Sequence, residues 1–185
     1  MSCPGSDRFG SAGRRYQGRP AVHSCVSLAE RTRGAAVDEV SARPQISVHP
    51  HRFGGKEFRV GSAEVGHVHI GGIVDIPFPR LVRDALVTEG LAEDHRWVPN
   101  SGWTTFHVRS EQDFKHGLWL LRLSYLRYLL KTAADTRTLF DQESEQLRLS
   151  PRFKALLEPF VPKAATQVST ELLPAQSVNE VARGT

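Results

Sequence analysis

Cysteine is nearly absent from this 185-residue chain, and the two that occur, Cys3 and Cys25, both lie in its N-terminal segment. The remainder therefore has no disulfide framework and no cysteine-ligated metal site. Long apolar runs are missing too. No stretch reaches the roughly 18 apolar residues that a membrane-spanning helix needs, and the start lacks the apolar core of a secretory signal. There is no glycine-rich phosphate loop, no nucleophile elbow and no HExxH helix. No basic run is interleaved with aromatics as nucleic-acid surfaces are. Nucleic acid and membrane are accordingly not expected as partners.

The net charge of +4 is unevenly spread. Residues 1–44 hold seven arginines against four acids, which leaves 17 bases and 16 acids over the rest. The basic character thus belongs to an Arg/Gly/Ser-rich segment without sustained apolar periodicity, and disorder is expected there because too little apolar surface is available to offset ordering entropy. An Arg-rich, acid-poor start is also the composition of an organelle-targeting peptide. The plain reading is a soluble cytoplasmic protein with one folded domain over 45–134. A polar tail is expected over 135–185, with a short helix near 151–160.

Within the domain the periodicities alternate between sheet and helix. Ile46–His49 and Glu57–Val60 read as paired strands around a turn at Phe53-Gly54-Gly55, with His49 and His51 exposed at an edge. Val65–Ile70 alternates, so Val68 and Ile70 are expected on one face and His67 and His69 on the other, beside Val65. Gly71-Gly72 suits a hairpin turn, after which Ile73–Ile76 returns and carries Asp75 towards the histidines. Pro79 suits a helix entry, Leu81, Val82, Ala85 and Leu86 keep helical spacing, and Gly90-Leu91 marks the exit. His95–Val98 reads as a brief strand. Trp103–Val108 alternates with Trp103, Thr105 and His107 on the face opposite Phe106 and Val108. Ser110 and Asp113 form a capping-box pattern ahead of a long helix to about Lys131. The fold class is α+β, a small antiparallel sheet covered by one short and one long helix.

Several residues stand out chemically. Two histidines two apart on a strand, an aspartate on the next strand, and a large indole on the non-core face at Trp103 can together line a small-molecule pocket. Arg80 and Arg83 open a helix, where positive charge is unfavourable; the placement suits an anionic ligand or a carboxylate such as Asp84 or Asp75. His107 shares the Trp103 face and reads as a surface residue.

Glu64-Val65-Gly66-His67-Val68-His69, Asp75-Ile76-Pro77-Phe78-Pro79, Gly90 with His95, and Ser101-Gly102-Trp103-Thr104-Thr105-Phe106, taken in this order and spacing, resemble the luciferase domain first described in fungal luciferases. The resemblance spans about Phe53 to Tyr128. For the fungal members it implies oxidation of a hydroxylated α-pyrone by O₂ through a peroxide, without flavin, haem or ATP. This chain departs from them: it lacks their N-terminal membrane helix, and its Pro-Phe-Pro and Ser-Gly-Trp surroundings follow the non-luminous bacterial branch. Light emission is therefore not expected. What the resemblance carries over is the pocket, with His67, His69 and His95 as catalytic candidates and Trp103, with Asp75 and Arg83, on the substrate. His67 or His69 would act as the base on an enolic or phenolic substrate, with no cofactor. Two alternatives stay open: an iron or zinc site on His67, His69 and His95, and a non-catalytic small-molecule-binding or interaction module. The sequence leaves the oligomeric state open.

Overall fold

The structure is a computed structural model that describes residues 28–162. The elements run, in chain order, α1 (Leu28–Ser41), β1 (Ile46–Pro50), β2 (Lys56–Val60), β3 (Ala63–Val68), β4 (Ile73–Pro77), α2 (Arg80–Thr88), β5 (Glu93–Asp94), β6 (Trp103–His107), α3 (Glu111–Thr132), α4 (Thr136–Gln146) and α5 (Pro151–Leu157). The strands form one open antiparallel sheet in the order β1-β2-β3-β4-β6-β5. The α+β expectation holds, with five helices in place of two. None of the described helices is long and apolar enough to cross a membrane.

The sheet buries one face and leaves the other open, which is what strands of alternating character make possible. Phe58, Val65, Val68, Val74, Ile76 and Thr104 point into the core, where α3 packs across β3 and β4. The start of α3 is fixed as its capping pattern predicts: Asp113 N–H donates to Ser110 Oγ at 3.1 Å, and Arg109 N–H donates to the Asp113 carboxylate at 3.0 Å. Leu120, Leu121, Leu123, Leu126 and Leu130 are all buried, around more of the helix than one stripe. The reason is that α3 is sandwiched, with sheet on one side and α1 and α4 on others. Each such leucine contributes about 1.5–3 kcal/mol through burial. Polar groups on α3 also answer sheet carbonyls: Ser124 Oγ donates to Pro77 O, and Tyr128 OH to Glu64 O.

Four expectations need correction. Order begins before residue 45: α1 lies in the segment assigned to disorder, where Ala36 and Val40, four apart, bury one stripe. Tyr125 OH further ties Pro44 O to α3 at 2.7 Å. Residues 1–27 lie outside the described residues. The polar tail is likewise built into the core as far as Val161, because Phe140, Leu147, Leu149, Phe153 and Leu157 are spaced to bury against α3 and α2. A helix near 151–160 is present as α5 plus a short turn, and residues 163–185 lie outside the described residues. The brief strand near residue 95 is instead Glu93–Asp94, and Trp97 and Val98 are exposed.

The fourth correction concerns strand phase. Phe58 pairs with Gly66 while Arg59 pairs with Glu64, so β3 carries one extra residue, a β-bulge. The bulge resets the alternation: Val65 joins Val68 on the core face, and Glu64 comes to the face of His67. Ile70 lies beyond the strand in the β3–β4 turn and is 47% exposed. Position 66 must be glycine for a packing reason, since a Cβ there would stand 2.8 Å from Leu121 Cδ2 and 3.0 Å from Asp75 O.

Candidate functional site

The open sheet face carries one polar row across five strands. Register places Glu57 (β2) beside His67 (β3), His67 beside Asp75 (β4), Asp75 beside Thr105 (β6), and Thr105 beside Glu93 (β5). Neighbouring strands lie about 4.8 Å apart, so each side chain in this row can reach the next.

Asp75 is the centre. Its Oδ2 lies 3.3 Å from His67 Nε2, 3.0 Å from His69 Nε2 and 3.6 Å from His95 Nε2, and its Oδ1 accepts a hydrogen bond from Thr105 Oγ1 at 2.6 Å. The anticipated convergence of His67, His69 and His95 is therefore present in the structure, around a carboxylate. His67 is gripped twice, because its Nδ1–H also donates to Glu64 Oε1 at 2.5 Å. Only the bulge makes that second contact possible.

Charge follows from these contacts. Burial works against a charged His67, but hydrogen bonds to Asp75 and Glu64 outweigh it and hold the imidazole up at about 9. Burial also opposes the Asp75 carboxylate. The hydrogen bonds from His67 and Thr105 and the nearby His95 overcome this and hold it down at about 2. His69 goes the other way: burial lowers it, its hydrogen bond to Asp75 opposes, and the like charge of His67 pushes it further down. At neutral pH the cluster thus contains an imidazolium, a carboxylate and a neutral imidazole.

Two residues of the cluster escaped the sequence reading. His51, expected to be exposed, stacks on His67 with ring centroids 3.8 Å apart, and its Nδ1 stands 3.4 Å from Glu57 Oε2. Glu57 also accepts from Arg59 Nε, which lowers its pKa. A signal was available: on a strand paired to β3, His51 and Glu57 flank the β1–β2 turn. Nothing local, however, fixed which strand β2 would join. Ligand atoms of His51, His67 and His69 lie within 4.8 Å of one another, so these three could hold a metal ion. His51 takes the place that the sequence gave to His95.

Trp103 sits half-buried with its indole against His67 (5.5 Å between centroids) and His95 (6.0 Å), on the non-core face as expected. Arg83 is buried between α2 and β5, paired with Asp84 and Asp94, and does not line the cleft. Arg80 donates to Asn100 O. His107 does line the cleft, with Nδ1 3.3 Å from Glu93 Oε1. Above the polar row the cleft has a volume of about 900 Å³, walled on one side by Arg52 and Phe53 and on the other by Arg96 and Trp97.

Fold and site together define an α+β domain with a histidine–carboxylate cluster at the floor of an open-faced cleft. Residues 62–124 match the family model of the luciferase domain, the family that the motifs of this stretch resemble. The match includes His67, His69, Asp75, His95 and Trp103 and stops short of His51 and Glu57. No curated protein and no solved structure matches the chain.

Proposed function

We propose that the cleft binds a small enolic or phenolic substrate and that His69 deprotonates it for reaction with O₂, without a cofactor. The observation that carries this reading is the split character of two histidines on one carboxylate. His67 has both nitrogens engaged by carboxylates and serves as a fixed cation. His69 is neutral and donates its Nε2–H to Asp75, which leaves Nδ1 as the proton acceptor. A carboxylate that fixes the tautomer of a neutral imidazole is an effective arrangement for general-base work.

In the proposed sequence the substrate O–H proton passes to His69 Nδ1 and leaves an electron-rich enolate. One electron moves from the enolate to O₂, giving a substrate radical and superoxide. These combine through a new C–O bond to a peroxide anion, which takes the proton back from His69. Substrate and O₂ are consumed one for one, and the product is a hydroperoxide. The His67 imidazolium stabilises the two anionic stages.

An oxygen electrode with hydroxylated pyrones and cyclic enols tests this. O₂ uptake should fall by about 100-fold or more in His69→Gln, the scale of a lost general base, and should survive EDTA. Full uptake by His69→Gln would refute the assignment. Ligand binding without any O₂ uptake would leave a binding module. The histidine trio within 4.8 Å favours a second reading, a metal centre on His51, His67 and His69. It requires near-stoichiometric iron or zinc by elemental analysis, lost in His51→Ala.

A further inference from the structure

The two walls of the cleft come from opposite edges of the sheet and carry the same pair of residue types. Arg52 and Phe53 lie in the β1–β2 turn, and Arg96 and Trp97 follow β5. Phe53 is 88% and Trp97 78% exposed, the two largest exposures among the exposed large hydrophobics of the described residues. Phe53 also holds a left-handed backbone conformation (φ 55°, ψ 36°), which is costly for a bulky side chain. A free protein gains nothing from wetting two aromatic rings across one cavity.

The charges on the walls are equally lopsided. The acids that line the cleft have cationic partners, Glu93 with His107 and Asp94 with Arg83. Among the described residues, neither Arg52 nor Arg96 has a carboxylate partner; the Arg96 guanidinium only lies over the Trp97 ring at 5.0 Å. Two unanswered guanidiniums beside two exposed rings, above a floor that holds the His67 imidazolium, form a receptor for a flat anion.

We propose that the ligand of this cleft is an aromatic carboxylate, its rings held between Phe53 and Trp97 and its carboxylate answered by Arg52 and Arg96. The inference rests on the cleft being a small-molecule site, and it names the class of molecule and the residues that select it.

Calorimetric titration of the full chain with 9-anthracenecarboxylate and with 9-anthracenemethanol separates the contributions, since the two probes share a body and differ in charge. The carboxylate should bind about 10-fold tighter or more, the scale of one charge-assisted contact. Arg52→Gln combined with Arg96→Gln should bring the two probes to parity. Phe53→Ala and Trp97→Ala should each weaken both probes, by about 10-fold, the scale of one aromatic contact. All four side chains are exposed, so folding should survive, and Lys154→Gln on α5 serves as a charge control without effect. Equal affinity for the two probes, no binding of either, or a carboxylate preference that survives the arginine substitutions would overturn the proposal. If the pattern holds while no O₂ uptake is found, the oxidase reading falls and the ligand class stands.

Discussion

Replacing His67 should remove a pH dependence of stability that has a calculable place and sign. The folded-state pKa of His67, about 9, lies above its ordinary 6.5 because Asp75 and Glu64 hold its proton. Its contribution is therefore fully present below pH 6.5, declines as pH rises from 6.5 towards 9, and is gone above that. At about 1.4 kcal/mol per pH unit the interval corresponds to about 3 kcal/mol. Water in the open cleft screens the pair, so about 1–2 kcal/mol is the expected loss. Urea denaturation followed by circular dichroism at half-unit steps from pH 6 to 10 measures it. The wild-type protein should exceed His67→Gln in stability at pH 6, and the two curves should meet near pH 9.5. Groups that titrate in both proteins cancel in the difference. Parallel curves would mean that His67 holds no extra proton in the fold, and the assignment of His69 as the base would lose its reason.

Three further outcomes follow from the same geometry. With an active substrate, the rate should rise with pH through a value below 6.5, as His69 loses its proton, and fall through about 9, as His67 does; a pH-rate profile that climbs without an upper limb contradicts the role of His67. Thr105→Val deletes the 2.6 Å hydrogen bond to Asp75 Oδ1 and should cost about 1–2 kcal/mol at neutral pH. It should also move the acid loss of stability, which sets in as pH falls below 3.8 towards 2, to higher pH; an unshifted acid limb in denaturation experiments would exclude Thr105 from holding that carboxylate. Gly66→Ala should destabilise by about 1–3 kcal/mol, as overpacking does, because its Cβ meets Leu121 and the Asp75 carbonyl. Combined with Leu121→Ala it should cost less than the two changes summed, a coupling that additive free energies in urea melts would disprove.

The sequence by itself determined what depends on neighbours along the chain. The alternation over Trp103–His107 put Trp103 and Thr105 opposite Phe106, since period-2 geometry is local. The capping box at Ser110 and the exit at Gly90 (φ 68°), where Leu91 N–H reaches Leu86 O at 2.8 Å, depend on three to six consecutive residues and were equally legible. So was the pairing of a histidine strand with the strand of Asp75, because a four-residue turn from His69 to Gly72 leaves no other partner within reach.

Only the tertiary structure decided the rest. The bulge that moves Val65 into the core and Glu64 to His67 is set by the approach of Leu121, 55 positions further along the chain. Helices α1 and α4 have short apolar stripes that mean little until α3 supplies a surface for them, since isolated helices of this length are marginal in water. His51 and Glu57 enter the cluster only because β2 joins β3, and Thr105 and Glu93 complete the polar row only because β6 lies between β4 and β5. Strand order is a property of the whole sheet. It is fixed by the face that α3 buries, and no local period along the chain encodes it.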